Sequence, residues 1–388
     1  ARLSLGTLLG RTANQLTEVG IVLFVLERFH SPALAGLVVF VLIFPGLLVS
    51  PLAGALLDRH GRVRLIILDQ IVAAAGLAAI VLLARLGRLT PTTMLPLVAM
   101  TSLTGMFSAG GIRSLFPILL PRPMWGRGNA VDSTGFTITT IVGPGLAGGL
   151  VAALGADTEL LACSAVFALA AVAFAGLREP PPRGDQPALL RSAWEALVYV
   201  VRNATLRNTA IALSVFNLGS GIWTVGLPVL VLSRLHGGPN EVGLLFSLSG
   251  VAGVVSGLIF GRFYREGIEP AAIALGMALI GASLLILAFA PGVALVALAS
   301  VLSGLAIGPI DVSFFSLRQR RTHTASLGRA MAVSMSLNFA GAPLGSALGG
   351  PILHRSITGA FLVATALALA GALLAWVLIP RRDDPGLT

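Results

Sequence analysis

Apolar runs long enough to cross a lipid bilayer recur along the whole of this 388-residue chain. Twelve can be counted, at about 4–27, 33–56, 65–86, 92–113, 129–153, 159–177, 207–232, 241–260, 269–290, 293–316, 328–352 and 357–379. An α-helix needs about 20 residues to span the hydrocarbon core. Backbone in lipid must satisfy its own hydrogen bonds, so only helices and closed barrels are admissible there. None of the runs shows the two-residue alternation of a barrel strand. A hydrophobic fraction of 56% agrees, well above the usual 45–50% or so of soluble domains. The expected fold class is therefore an all-α integral membrane protein with twelve transmembrane helices.

Charge sets the expected topology. Every basic residue is arginine, and the net charge is +10. If the N-terminus faces the cytoplasm, Arg28, Arg85, Arg88, Arg234 and Arg355 fall outside, while Arg59, Arg62, Arg64, Arg122, Arg127, Arg318, Arg320 and Arg321 fall inside with most of the rest. That bias is the positive-inside rule, so both termini are expected in the cytoplasm and no nucleic-acid partner is implied. The first run carries Arg11, Asn14, Gln15 and Glu18, which does not fit a cleavable signal peptide. Cys163 is the single cysteine, so there is no disulfide framework.

The two halves repeat one another. "VLERFH" at 25–30 returns as "VLSRLH" at 231–236, an offset of 206. "GALLDRHGR" from Gly54 returns as "GLIFGRFYR" from Gly257, and "GRGNAV" from Gly126 as "GRAMAV" from Gly328, offsets of 203 and 202. Three ordered matches at nearly one offset indicate a duplicated six-helix unit, the mark of transporters whose bundles move about a midplane site. The division expected is an N-terminal bundle at 1–177, a cytoplasmic linker at 178–206 and a C-terminal bundle at 207–388. Within the linker, Leu190, Trp194, Leu197 and Val201 share a helical face that would lie on the membrane surface.

Polar residues inside the runs mark where water enters. Thr7, Arg11, Asn14 and Glu18 are spaced four, three and four apart, one face of a helix, and Asn217, Ser220 and Thr224 form the matching stripe 206 positions on. A charge at the bilayer centre costs about 2.5–3.5 kcal/mol or more, so Glu18 must be neutral, paired or wet. Asp311, beyond Pro309 in the tenth run, is a second acid at depth, open to protonation, cation binding or pairing with Arg318. Asn338, Trp223, Phe136 and Phe339 could complete an amphiphilic pocket. Glycines four apart, such as Gly341, Gly345 and Gly349, read as close helix packing. No metal-ligand spacing and no nucleophile–base set is present, and a phosphate loop cannot exist without lysine. The expectation is therefore no metal, no cofactor and no enzymatic activity.

"GALLDRHGR" resembles the signature loop of the major facilitator superfamily through Gly54, Asp58, Arg59, Gly61 and Arg62, and the twelve runs and 6+6 repeat extend the resemblance over the whole chain. "TTIVGPGLAGGL", with Gly143, Pro144, Gly148 and Gly149, is similar to the Gly-Pro motif of the exporting branch, with one extra residue between the proline and the glycine pair. The wider pattern is similar to the bacterial group that holds the macrolide-efflux proteins and the enterobactin exporter. The resemblance implies a monomeric, proton-coupled antiporter in a bacterial inner membrane, exporting an amphipathic small molecule by alternating access. It also implies that the signature loop is a conformational latch, for which Asp132 is a candidate partner. A carrier of metabolites or lipids with other coupling, and a sensor or scaffold that has lost transport, remain the alternatives.

Overall fold

The computed structural model of the chain describes residues 2–179, 189–322 and 327–381. It is built of helices, and no strand occurs among the described residues. In order they are α1 (Arg2–Phe29), α2 (Pro32–His60), α3 (Arg62–Arg85), α4 (Pro91–Leu119), α5 (Trp125–Leu154), α6 (Ala156–Ala175) and α7 (Leu189–Arg202). The second half continues with α8 (Ala204–Val229), α9 (Pro239–Phe263), α10 (Glu269–Phe289), α11 (Val293–Arg320), α12 (Leu327–Phe339), α13 (Gly341–Arg355) and α14 (Ile357–Leu378). All twelve apolar runs are helical. Ten helices among the described residues are long and apolar enough to span a membrane. The exceptions are α1, with its polar stripe, and the eleventh run, which is divided at Ala340 into α12 and α13. Pro343 explains that division, because it removes the N–H that the carbonyl of Phe339 would accept.

Element ends follow local chemistry. Pro91 sits at the first position of α4, behind a Thr90 capping box. Gly61 separates α2 from α3 at φ +89°, a left-handed backbone that costs a side-chain-bearing residue about 1–2 kcal/mol. Asn203 caps α8, its Oδ1 accepting from the Leu206 N–H at 3.0 Å while its Nδ2 donates to the Arg321 carbonyl.

Packing divides the chain into two compact units. One comprises residues 1–30, 41–189 and 238–247, and the other 31–40, 190–237 and 248–388. The pairings within them correspond one to one. In the first unit α1 packs on α5 and α6, and α3 on α4 and α6; in the second α8 packs on α13 and α14, and α10 on α11 and α14. Side-chain capping repeats too. An Arg28 guanidinium N–H donates to the Ala84 carbonyl in the last turn of α3, and Arg234 donates to Ala288 in the last turn of α10 at 2.8 Å. His30 and His236, which follow these arginines, are both left-handed. Because lipid is as apolar as leucine, close approach and hydrogen bonds hold such helices together more than burial does. A Cβ on Gly345 would collide with the Leu218 carbonyl oxygen, which is how near α13 lies to α8. In α7, Val200 is buried against Leu206 and Ala330 while Trp194 and Val201 are exposed; the side chain of Leu190 lies outside the described residues.

Candidate functional site

Each unit encloses its own cavity. The first holds about 470 Å³ between α1, α2, α3 and α4, with Phe136 of α5 and Phe167 of α6, and the polar stripe of α1 forms one wall through Arg11, Asn14, Thr17 and Glu18. Glu18 is exposed to it and has no hydrogen-bond or ion-pair partner among the described residues. Arg11 is committed. Its guanidinium grips Asp132 of α5, 3.0 Å from Oδ2 and 2.6 Å from the backbone carbonyl, and lies 5.3 Å from the Phe136 ring. With side chains only 15% and 11% exposed, this is a largely desolvated pair. Asp132 lies two turns into α5, which begins at Trp125, and its cation is Arg11 of α1.

Sequence reasoning missed the other acid here. Asp69 of α3 is buried, receiving hydrogen bonds from the Ser108 hydroxyl of α4 and from Gln70 Nε2 at 3.1 Å. Gln70 also donates to Ser108 at 2.9 Å. The signal was the "LDQI" at 68–71, a polar pair in an otherwise apolar run, but without a periodic partner it did not stand out. Glu159 of α6 was missed as well; it is fully buried and accepts from the Cys163 thiol at 3.1 Å. Thr7 is buried with its hydroxyl off the cavity.

The second cavity, about 190 Å³, lies between α8, α10, α11 and α12 and is aromatic. Asp311 faces it with Asn217, Ser220 and Asn338, beside Trp223, Phe314 and Phe339. Asn217 Nδ2 donates to the Asn338 backbone carbonyl at 2.8 Å, at the end of α12. Thr224 is not a wall residue; its hydroxyl donates to the Ser220 carbonyl one turn back. Asp311 does not pair with Arg318. That buried guanidinium lies two turns on, 3.1 Å from the Met335 sulfur, 3.3 Å from the Met331 carbonyl and 4.5 Å from the centre of the Phe314 ring.

The signature loop is a tied turn. Arg62 pairs with Asp58 one turn earlier, donates from Nε to Ser114 of α4 at 3.0 Å, and reaches Glu179 at 3.3 Å. Glu179, another residue the sequence did not single out, also accepts the Val63 N–H at 3.0 Å and so caps the start of α3. Arg59 is exposed, and Gly54 has nothing within 4 Å of where a Cβ would stand. In the Gly-Pro motif, a Cβ on Gly143 would meet Gln15 of α1 at 2.5 Å, and one on Gly148 would collide with the Pro239 carbonyl. Gly149 faces open space, and Pro144 lies inside α5. No cluster of metal-binding side chains occurs among the described residues.

A family model described as Major Facilitator Superfamily matches residues 3–317 and 209–387. The chain belongs to the major facilitator superfamily. It is 37% identical over 386 residues to the MFS-type transporter y4rN of Sinorhizobium fredii, covering 99% of this chain and 95% of that one. It is also 25% identical to the multidrug efflux pump Tap of Mycolicibacterium fortuitum, over 96% of this chain and 93% of the pump. Among solved structures it resembles the nucleoside transporter NupG, with a TM-score of 0.77 at 14% identity over 97% of each chain. A bacterial homologue of the lysosomal transporter Spinster superposes with a TM-score of 0.73 at 15% identity, covering 99% and 98%. This facilitator is thus a multi-pass membrane transporter and not an enzyme.

Proposed function

We propose that this facilitator exports an amphipathic small molecule from a bacterial cytoplasm across the inner membrane, in exchange for protons and by alternating access. The observation that carries the reading is Glu18, a carboxyl without a partner among the described residues on the wall of a 470 Å³ cavity inside a transporter fold. A cavity of that size suits a drug-sized molecule. A carboxyl on a cavity wall without a fixed cation is free to take up and release a proton in each cycle, whereas Asp132 is already committed to Arg11. Kinship with the Tap pumps supports the outward direction. The driving force suffices, at about 2.3 kcal/mol per charge per 100 mV and about 1.4 kcal/mol per pH unit. The arginine bias supports cytoplasmic termini.

Energised inside-out vesicles test this with a panel of fluorescent amphiphiles, macrolides and siderophores, with and without a protonophore. The expected result is uptake of at least one compound that collapses both with the protonophore and with Glu18→Gln. Uptake that is sensitive to the protonophore but untouched by Glu18→Gln moves the coupling site, with Asp69 and Asp311 next in line. No protonophore-sensitive uptake of any compound overturns the proposal.

A further inference from the structure

The second cavity combines features that the transport reading leaves unused. Asp311 is exposed to it and has no ion-pair or hydrogen-bond partner among the described residues. A lone carboxylate in the middle of a membrane-spanning helix is expensive unless something positive comes to it. Arg318 is not that group, because its position seven residues on puts it about 10 Å along the axis and it is engaged with α12. The lining around Asp311 is rich in aromatic side chains: Phe314 and Phe315 one turn on along α11, the first already stacked by Arg318, and Trp223 and Phe339 from α8 and α12.

A second, independent observation lies opposite. The Asn338 side chain also lines this cavity, is 1% exposed, and has neither its Nδ2 nor its Oδ1 satisfied by a described residue. An unmet buried polar group is costly, and here a donor and an acceptor are unmet on one amide. Its position is fixed rather than accidental, since Asn217 holds the Asn338 backbone carbonyl and Pro343 ends α12 directly beyond it. A free carboxylate, π faces around it and an unspent amide together describe a receptor for a positively charged organic group that carries a polar substituent. Aromatic faces attract an ammonium through the ring quadrupole, and the carboxylate supplies the net charge. A volume of 190 Å³ suits a head group with its immediate substituents, not a whole drug-sized molecule.

We infer that the second unit's cavity, through Asp311, Asn338 and its aromatic wall, binds the ammonium head of an organic cation. The inference rests on the export reading only in taking that head to belong to the exported molecule. Binding can therefore be measured with no gradient at all. The probe is radiolabelled phenyltrimethylammonium, in equilibrium dialysis against the full chain in phosphatidylcholine nanodiscs, with empty discs as the blank. Its uncharged carbon isostere, tert-butylbenzene, reports the apolar contribution alone.

The wild type is expected to bind phenyltrimethylammonium saturably. Asp311→Asn should weaken it about tenfold or more, Asp311→Glu should restore part of that loss, and Phe339→Leu should weaken it about threefold. Binding of tert-butylbenzene should not follow the charge at position 311. Monodispersity by size exclusion separates loss of the site from loss of the fold, and partial rescue by Asp311→Glu does so within the assay. The inference is overturned if the wild type binds no cation above the blank, or if Asp311→Asn binds it as tightly as wild type. It is equally overturned if affinity is lost in Glu18→Gln alone. Asp311-dependent binding without energised uptake would sink the export reading and leave this site standing, whereas uptake with Asp311-independent binding would do the reverse.

Discussion

The two cavities occupy corresponding bundles and differ in how they treat charge. The first unit is polar and ionic: Arg11 is locked to Asp132, Asp69 is held by Ser108 and Gln70, and Glu18 has no partner among the described residues. In the second, one carboxylate stands among aromatic rings beside an unsatisfied amide. A duplicated frame has thus been filled in two ways. The backbone interactions that build a bundle are shared, down to the arginines capping α3 and α10. The polar groups within have diverged, because a hydrogen-bonded acid network suits exchange of a small ion and an aromatic box suits an organic one. On this view proton handling and ligand binding are divided between the units.

The widest separation should appear in flux. Glu18→Gln is expected to abolish the protonophore-sensitive component of uptake while lowering phenyltrimethylammonium affinity by much less, and Asp311→Asn to lower that affinity about tenfold or more while uptake at saturating substrate stays protonophore-sensitive. Parallel losses in both variants would collapse the two cavities into one functional site. Next in size, Arg11→Ala strands Asp132 as an uncompensated buried charge, a change that costs about 3–5 kcal/mol in comparable pairs. A double-mutant cycle with Asp132→Ala, read by thermal unfolding in detergent, should recover much of that loss. Strict additivity would show the pair to be incidental.

The turns offer a smaller contrast. The first unit joins α2 to α3 through Gly61 alone, at φ +89°, whereas the second joins α9 to α10 through five residues ending in Gly267 at φ +93° and Ile268. Each Gly→Ala should cost about 1–2 kcal/mol by strain. The tied first turn, with Arg62 and Glu179 fixed around it, should reach the upper value, since the longer loop has more ways to relax. Equal shifts in melting temperature would remove the distinction. Least of all, Arg28→Ala and Arg234→Ala should each cost about 0.3–1 kcal/mol, the value of a cation at a helix C-terminus, and the two should agree closely. Unequal costs would mean that the shared frame has diverged as well.

Most of the frame was legible in the residues. Apolar length, the internal repeat and the signature loop each carry a periodic or positional signal that survives without coordinates, and the stripe of α1 pointed to the cavity it lines. Two kinds of information were not legible. Asp69, Glu159 and Glu179 carry no periodicity of their own, and their partners Ser108, Cys163 and Arg62 become meaningful only when helices meet. Offsets in the alignment also misled locally: a constant shift of 203 sets Gly61 opposite Tyr264, whereas the backbone makes Gly267 its counterpart, 206 on, because the second turn is longer.

The sequence by itself determined that this chain spans a membrane as a duplicated helical bundle, because length, hydropathy and repetition are properties of a string. Only the tertiary structure decided which acids are spent and which are free. Asp132 and Asp58 look alike along the chain, yet one is held by Arg11 of another helix and the other by its neighbour Arg62. Glu18 and Asp311 are distinguished by having no such cation among the described residues. Whether a charge is neutralised depends on distances of a few ångströms between different helices, and linear spacing does not encode them.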